Sequence, residues 1–361
     1  MLKNSFHSAF KLQGESFNSN QELIDYSQQF FLEVYAFLIE WFNNECFVEV
    51  KTSGSTGNPK VIKLQKKHMI NSALATGNYF NLPENTTALL CMSPNYIAGK
   101  MMLVRALTLG WQLDVVEAIS NPLKGNEKQY DFSAMVPLQL YNSLSHIHKV
   151  KKLIIGGGVV SNQLLSKIHD IDTEVFATYG MTETITHVAV QKLNKNKNII
   201  TGETIQSHYQ TLPNVSISKD NRDCLVIDAP KVSFEKVVTN DLVELISSTE
   251  FIWLGRFDTI INSGGIKLIP EQVEEKLAEI ISKRFFVAGI SDELLGERLI
   301  LVLENSENNV SKDDILNKIK DLKALSRFEI PKEIYFVEHF VETETKKVNR
   351  FETLKLINNI Y

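Results

Sequence analysis

The sequence predicts an α/β protein built from a large amino-terminal domain and a small, mobile α+β carboxy-terminal domain. Short apolar strands alternate with amphipathic helices from residue 47 to residue 180, which indicates mostly parallel sheets. From about Asn214 to Leu254 the strands follow one another closely, so we expect a small β-rich segment there. We place the domains at 1–255 and 256–361, with a hinge near Asp258, because a length of 361 residues suits about two domains.

Composition excludes several classes of protein. Lys and Arg total 38 and Asp and Glu total 43, so the net charge is −5, and no long basic stripe predicts binding to nucleic acid. No apolar run approaches the roughly 18 residues of a membrane span. The three cysteines, Cys46, Cys91 and Cys224, are far apart in the sequence. This spacing favours a reduced, cytoplasmic protein over a disulfide scaffold or a cysteine-rich zinc site.

The first elements surround an unusual polar segment. Apolar residues at three- and four-residue steps predict one helix over Gln21–Phe42. Alternating residues predict a strand over Phe47–Lys51, a return strand over Val61–Leu64 and a helix over Lys66–Tyr79. The polar segment therefore connects two neighbouring strands.

The remaining elements continue the alternation. In the large domain we expect strands at Leu89–Met92, Lys152–Ile155 and Glu174–Ala177, and helices at Gly99–Leu109 and Ser161–Ile168. In the small domain we expect helices at Pro270–Ile281 and Ser311–Leu322 and a strand at Phe285–Gly289. Ligands of such folds gather at the carboxyl ends of the parallel strands.

The segment 52–60 combines hydroxyls, glycines and a lysine, namely Thr52, Ser53, Gly54, Ser55, Thr56, Gly57 and Lys60. Glycines allow backbone N–H groups to point at one anion, hydroxyls donate further hydrogen bonds, and a lysine supplies a charge suited to phosphate. A polar hairpin turn is the alternative. The P-loop of nucleotide-binding ATPases does not match, because Val61 rather than Ser or Thr follows the lysine.

This segment resembles the signature of the adenylate-forming superfamily, which includes acyl-CoA synthetases, luciferases and adenylation domains. Val61 stands where that signature usually has glycine. The resemblance implies a loop that grips the β- and γ-phosphates of ATP. The 51 residues before the loop are fewer than in typical members of the family, so we expect part of the usual first subdomain to be missing.

Further motifs follow in the order of that family. Gly156, Gly157 and Gly158 resemble the loop that lies along adenine, although an ordinary strand-to-helix turn is the alternative. The segment 178–183 resembles the Tyr-Gly-x-Thr-Glu motif. By resemblance Tyr179 and Gly180 bind ATP, Thr182 contacts a phosphate, and Glu183 holds Mg²⁺, a role that suits a carboxylate oxygen. A surface carboxylate is the alternative reading of Glu183.

Motifs toward the carboxyl end complete the resemblance. It implies that Asp241 binds the ribose hydroxyls, that Arg256 contacts the ribose, and that Gly264 and Gly265 line a tunnel for coenzyme A. Asn240 replaces the usual glycine before the aspartate.

Segment 343–350 is similar to the family's lysine motif, and its register places Lys347 at the catalytic lysine. Val341 and Lys346 replace the usual Pro and Gly, so two adjacent lysines are candidates, and spacing to Arg350 favours Lys347. A solvated surface is the alternative reading of the pair.

The resemblance is greatest to the short o-succinylbenzoate–CoA ligases of menaquinone synthesis. It implies ATP, Mg²⁺ and coenzyme A as reaction partners and a carboxylic acid as substrate. The second carboxylate of succinylbenzoate needs a cation, and Arg105 is our candidate, with Tyr96 at the same pocket. The alternative for Arg105 is an arginine that snorkels to solvent or pairs with a structural carboxylate. His187 is a further candidate for that pocket, with a core histidine as the alternative. Ligation of another aryl or medium-chain acid, and a nucleotide-binding module without catalysis, stay open. A homodimer is possible.

Overall fold

The computed structural model describes residues 6–51, 61–195, 207–305, 311–343 and 348–357. Its helices are α1 Asn20–Phe30, α2 Leu32–Phe42, α3 Lys66–Phe80, α4 Ile97–Leu109, α5 Pro137–Ser143, α6 Asn162–Ile168, α7 Pro270–Leu277, α8 Lys312–Asp321 and α9 Arg350–Leu354. Short 3₁₀ turns cover Leu144–Lys149, Thr182–Thr184 and Phe257–Thr259.

The strands of the first 256 residues are β1 Lys11–Leu12, β2 Phe47–Lys51, β3 Val61–Gln65, β4 Thr87–Leu90, β5 Gln112–Val115, β6 Tyr130–Met135, β7 Val150–Ile155, β8 Glu174–Gly180, β9 His187–Lys192, β10 Tyr209–Thr211, β11 Ser216–Lys219, β12 Cys224–Asp228, β13 Val237–Leu245 and β14 Glu250–Arg256. Those that follow are β15 Ile261–Ser263, β16 Ile266–Leu268, β17 Phe285–Asp292, β18 Gly296–Glu304 and β19 Glu333–Val337.

Among the described residues, one mixed sheet of 12 strands forms the large part of the molecule, in the order β1-β5-β4-β6-β7-β8-β9-β10-β14-β13-β12-β11. Pairing is parallel from β1 through β8. It is antiparallel from β9 onward. The α/β class is confirmed, but the β-rich segment is a continuation of the same sheet, because β9 and β10 join it to the parallel half.

Helices cover both faces of the parallel half. Buried side chains of α2, α3 and α4 pack on one face, where Phe132 and Ile154 of the sheet meet them. Leu140 of α5 and Leu164 of α6 pack on the other face. Parallel strands need this double cover because both of their faces are apolar. The carboxyl ends of β7 and β8 therefore meet at one edge between two helical layers.

Among the residues described after position 260, five strands form a separate sheet in which β19 pairs with β18. Its two faces carry their own apolar clusters, one around Val273 and Leu301 and the other around Phe286 and Val302. A domain boundary at residue 255 and a hinge at Asp258 stay predictions. No described helix is long and apolar enough to span a bilayer.

Several boundaries differ from expectation: the helix predicted to reach Ile281 ends at Leu277, and the strand predicted to end at Gly289 extends to Asp292. The helix predicted over 21–42 is wrong as a single element, because Phe31 takes φ −144° and ψ 76° and separates α1 from α2. This turn lets Val34, Phe37 and Trp41 of α2 all face the core. The strand predicted at Leu89–Met92 begins earlier, at Thr87, and ends at Leu90, where its register with β5 ends.

Candidate functional site

The glycine segment after β7 lies beside the end of β8. A Cβ on Gly156 would lie 2.8 Å from the Oγ1 of Thr178, and Gly157 has φ +79°. The Oγ1 of Thr178 also donates to the carbonyl of Ile155 at 2.9 Å. Two strand ends are thus held close together with little side-chain bulk between them, which leaves backbone accessible to a flat ligand.

Gly180 ends β8 at a point of very close backbone approach. A Cβ there would lie 2.1 Å from the carbonyl oxygen of Thr186 and 2.5 Å from the Cα of His187. Gly180 pairs with His187 of β9, just after a register shift at Tyr179. Only glycine fits where β8 and β9 approach so closely, so the sheet geometry itself requires the glycine of the motif.

Tyr179 and Asp241 meet although 62 positions separate them in the sequence. The Tyr179 hydroxyl donates to Oδ2 of Asp241 at 2.6 Å, and the Trp253 indole N–H donates to Oδ1 at 3.2 Å. The Tyr179 ring packs edge-on against Tyr209 and Phe251. Burial, and next the Asp241 charge, raise the pKa of Tyr179, so its hydroxyl stays a donor.

Arg256 faces Asp241 across the β13–β14 pair, where the two residues are in register. Its NH1 lies 3.8 Å from Oδ1 of Asp241. Its Nε and NH2 donate to the two carboxylate oxygens of Asp258 at 2.8 and 2.9 Å. This bidentate contact raises the pKa of Arg256 and lowers that of Asp258. The predicted ribose arginine and hinge aspartate are therefore bound to each other.

Thr182 and Glu183 lie on a 3₁₀ turn directly after β8. Glu183 is exposed, and its carboxylate makes no hydrogen bond or ion pair within the described ranges. Residues that the structure describes include no group of three or more His, Cys, Asp or Glu side chains that could hold a metal alone. A single exposed carboxylate fits Mg²⁺, which keeps several waters and takes its other ligands from phosphates.

Ile185 connects this exposed turn to the buried start of β9 in a strained conformation. Its φ of +68° and ψ of −68° form a γ-turn closed by the Thr186 N–H on the Thr184 carbonyl at 2.8 Å. A β-branched residue with positive φ costs energy. The turn reverses the chain so that Glu183 is exposed while His187, four residues later, is buried.

Arg105 is buried in α4 with only 2% of its surface exposed. Its Nε lies 3.3 Å from the Oγ1 of Thr76, and its NH2 lies 3.4 Å from the Oγ1 of Thr186 and 3.5 Å from Nδ1 of His187. Within the described part of the chain it has no carboxylate partner. Burial lowers the pKa of Arg105 to about 10, so the charge remains at neutral pH. A buried charge without a counter-ion is costly, which points to an anionic ligand.

His187 and Ser72 connect this cluster to a cavity of about 220 Å³. Burial, and next the Arg105 charge, hold the pKa of His187 well below its usual value of 6.5. The Oγ of Ser72 lies 3.3 Å from that of Thr186. Arg105 does not line the cavity itself but lies behind these neighbours. Lys231 stands exposed at the cavity's rim.

Tyr96 lies apart from Arg105. It is half exposed at the amino end of α4, nine residues before the arginine, which is about 13 Å along a helix at 1.5 Å per residue. The structure therefore does not bring these two predicted acid-binding residues together.

Other predicted residues lie outside the described ranges or far along the chain. The whole phosphate segment, 52–60, and Lys347 are outside the described residues, although β2 and β3 form the expected hairpin on either side of 52–60. Gly264 and Gly265 form the turn between β15 and β16 with φ of +59° and +81°. Their tunnel role stays a prediction.

Sequence reasoning missed several partners of the predicted residues. Trp253 holds Asp241, Thr76 and Thr186 hold Arg105, and Glu274 holds Arg350. Only tertiary pairing reveals these contacts. The alternation of β14 does put Trp253 on a strand close to Arg256, which is the one signal that the sequence offered.

The chain is similar to known enzymes over most of its length. Residues 50–228 match the model of the family described as AMP-binding enzyme. A crystal structure of an acyl-CoA synthetase (AMP-forming)/AMP-acid ligase II-like protein from Dyadobacter fermentans is 36% identical, with 91% of this chain and 94% of that chain covered and a TM-score of 0.59.

More distant relatives carry a specific name. A 2-succinylbenzoate–CoA ligase of Staphylococcus epidermidis is 25% identical over 338 residues, which cover 86% of this chain and 70% of that enzyme. The o-succinylbenzoate coenzyme A synthetase of Bacillus subtilis, solved with ATP and magnesium, is 20% identical, with 85% and 69% covered and a TM-score of 0.70. This second likeness shows a common fold.

Proposed function

Because the chain belongs to the family of AMP-binding enzymes, we propose that it is an ATP-dependent acid–CoA ligase whose acid is 2-succinylbenzoate. The single observation that supports this acid most is Arg105, a buried cation with no described carboxylate partner beside a cavity. The names of the relatives favour the same substrate.

The reaction has two steps. First, a carboxylate oxygen of the acid attacks the α-phosphorus of ATP, forming a new O–P bond while the bond to pyrophosphate breaks. Then the coenzyme A thiol attacks the acyl carbon, loses its proton to solvent and displaces AMP. Negative charge gathers on phosphoryl oxygens in the first step, so positioned cations and N–H groups accelerate it.

Residues on β8, β13 and β14 and in the loop after β7 would bind the nucleoside. Tyr179 and the glycines at 156–158 suit the adenine, because they combine an aromatic ring with accessible backbone at neighbouring strand ends. Asp241 suits the ribose hydroxyls, because two donors already hold its carboxylate in one orientation. Arg256 stands beside it on the next strand.

The phosphates would lie beside the 3₁₀ turn that follows β8. Glu183 and Thr182 would bind there with the segment 52–60, and Lys347 would bridge the attacking carboxylate and the α-phosphate. Bound magnesium offsets the charge of the leaving pyrophosphate. Withdrawal of Lys347 about the hinge at Asp258 would then admit coenzyme A between the domains, past Gly264 and Gly265.

The second carboxylate of the acid would enter the cavity. There it would accept a hydrogen bond from Ser72, with the Arg105 charge immediately behind it. The Nδ1 of the neutral His187 accepts from Arg105, so its N–H is on Nε2, 3.4 Å from the Oγ1 of Thr76. Lys231 at the rim adds a second cation. A monocarboxylic acid of similar size would leave the Arg105 charge without a counter-ion, so the site should select a dianion.

The test is pyrophosphate release from ATP with a panel of acids, with and without coenzyme A. The panel should contain 2-succinylbenzoate, benzoate, an aryl butyrate that lacks the second carboxylate, and a medium-chain fatty acid. We expect release with 2-succinylbenzoate and a coenzyme A thioester as product. Preference for a monocarboxylic acid would contradict the proposed substrate, and no release with any acid would contradict the activity.

Two further proposals concern the protein as a whole. A homodimer would elute in size-exclusion chromatography with light scattering at twice the 41.0 kDa of the chain. A cytoplasmic location would place the protein with the soluble fraction after cell lysis and leave its three cysteines reduced.

A further inference from the structure

The backbone on either side of residues 344–347 is held in a fixed pairing. Glu342 forms an antiparallel bridge with Val348, and the Asn349 N–H donates to the carbonyl of Val341 at 2.8 Å. Lys347 is bonded directly to Val348 in the sequence. Val348 and the residues after it are thus the described backbone to which Lys347 is bonded, the base of the Lys347 segment.

Arg350, at the start of α9, holds this base against the rest of the small sheet. Its NH2 donates to Oε2 of Glu274 at 2.9 Å, and its NH1 lies 3.5 Å from the carbonyl of Val287. The guanidinium also lies over the Phe286 ring, 5.6 Å from the centroid. The other oxygen of Glu274 accepts the Val287 N–H at 2.9 Å. One carboxylate thus organises both a backbone strand and the arginine.

The pair is partly withdrawn from water. The Glu274 side chain is 19% exposed and that of Arg350 is 33% exposed. Burial raises the pKa of Glu274 to about 6, while the Arg350 charge opposes that shift. A desolvated pair of this kind is geometrically demanding, and removal of one charge leaves the other uncompensated.

Glu274 also connects its ion pair with Arg350 to the proposed nucleotide site. It lies on α7, whose first turn packs against the end of β14: a Cβ on Gly255 would lie 2.5 Å from Oε2 of Glu271. Gly255 immediately precedes Arg256 on that strand. The same helix therefore contacts the strand that carries Arg256 and the arginine that follows the Lys347 segment.

We propose that Glu274 is a positioning residue for adenylate formation: its ion pair with Arg350 fixes the base of the Lys347 segment. This role rests on the proposed function, because it requires Lys347 to act in the first half-reaction. Glu274 itself touches neither ATP nor acid. Its loss should therefore slow acyl-adenylate formation and leave transfer of a preformed acyl group to coenzyme A unchanged.

The test compares two isosteric variants on one helix. Glu274→Gln removes the partly buried charge and keeps the side-chain shape, and Glu275→Gln removes an exposed charge from the neighbouring position. Both half-reactions are measured: acid-dependent pyrophosphate release, and thioester formation from synthetic acyl-adenylate. We expect Glu274→Gln to slow the first by about 10- to 100-fold, as for a misplaced catalytic group. We expect it to leave the second within about twofold, and Glu275→Gln to match wild type in both.

A double-mutant cycle separates positioning from folding. If Glu274 acts through Lys347, Glu274→Gln should cause no further loss of adenylation in a Lys347→Ala background. An equal loss in both backgrounds, or equal losses in both half-reactions, would overturn the role. If thermal denaturation shows that Glu274→Gln is unstable, Arg350→Lys is the second variant. It keeps the charge, removes the planar contact, and must show the same split between half-reactions.

The outcomes also separate this inference from the proposed function. If wild type releases no pyrophosphate with any acid, the function and the role of Glu274 are both overturned. If wild type is active and Lys347→Ala loses adenylation alone while Glu274→Gln behaves as wild type, only the role of Glu274 is overturned.

Discussion

The hydroxyl of Tyr179 donates to the carboxylate of Asp241 at 2.6 Å, which joins the aromatic residue of one motif to the acidic residue of another. The indole of Trp253 holds the second oxygen of the same carboxylate. Asp241 is 8% exposed, so these donors replace much of its hydration. The carboxylate is thereby held in one orientation, which would lower the entropic cost of the ribose binding that we propose for it.

Removing the Tyr179 hydroxyl should weaken nucleotide binding. A hydrogen bond to a charged group contributes about 1.5–3 kcal/mol, so Tyr179→Phe should raise the Kd for AMP roughly 10- to 100-fold. Isothermal titration calorimetry measures this directly. Tyr209→Phe is the matched control, because it keeps a neighbouring ring and removes a hydroxyl that does not contact Asp241 in the described structure. Equal affinities in all three proteins would contradict the assignment of Asp241 to ribose.

The two adjacent lysines should differ in their effects. Lys347→Ala should slow adenylation by about 100-fold or more, as expected for one lost charge stabiliser. Thioester formation from preformed acyl-adenylate should suffer far less. Lys346→Ala should retain both rates. Pyrophosphate release and thioester formation measure the two half-reactions, and equal losses in both for Lys347→Ala would refute its assignment.

Arg105 should determine the preference for a dianionic acid. Arg105→Leu removes a buried charge, so KM for 2-succinylbenzoate should rise by about 100-fold, as for loss of a nearby positive charge at an effective dielectric constant of about 20. The KM for a matched aryl monocarboxylate should stay the same or fall. Arg105→Lys retains charge without the planar fork and should give an intermediate KM. A normal KM for the dicarboxylic acid in Arg105→Leu would remove Arg105 from the site.

His187 should make stability depend on pH in the acid range. Because its pKa in the folded protein lies well below 6.5, the unfolded chain binds a proton first as pH falls. Its contribution to stability is therefore complete above pH 6.5 and is lost below it, by about 1.4 kcal/mol per pH unit. Thermal melts between pH 5 and 8 should show a smaller acid slope for His187→Gln than for wild type. The control is His339→Gln, which removes an exposed histidine.

Gly180 should tolerate no side chain. Its Cβ would lie 2.1 Å from a backbone oxygen, so Gly180→Ala should lower the free energy of unfolding by about 3 kcal/mol or more. Gly158→Ala is the contrast, because its Cβ would meet only Pro137 at 3.6 Å. Chemical denaturation of the two variants measures the difference, and equal stabilities would show that the crossing of β8 and β9 relaxes freely.

Local sequence patterns predicted the helices and strands more successfully than they predicted where a helix breaks or which strands pair. The hairpin around segment 52–60, the strand that ends just before Gly156 and the strand that ends at Gly180 were predictable from alternation and glycine placement. The break at Phe31 was not, because apolar spacing continues through it and only packing selects the turn. Nor was the single mixed sheet, because pairing between β10 and β14 joins residues about 40 apart along the chain.

In the candidate site, the motif residues were predictable from the sequence, but their contacts were not. Tyr179, Asp241 and Arg256 were identified by motif, and the structure brings all three together. Arg105 was a candidate from its place inside an apolar helix, but its partners Thr76 and Thr186 come from different elements. Such contacts depend on how α3, α4 and β9 pack, which no local pattern in the sequence encodes.

Oxygen transfer tests the adenylation reaction most directly. Wild-type enzyme is incubated with ATP, coenzyme A and 2-succinylbenzoate labelled with ¹⁸O in its carboxyl groups. The ¹⁸O content of the AMP is then measured by mass spectrometry. Attack of the acid on the α-phosphorus predicts one ¹⁸O atom in each AMP formed. Unlabelled AMP, or no AMP at all, would contradict an acyl-adenylate intermediate.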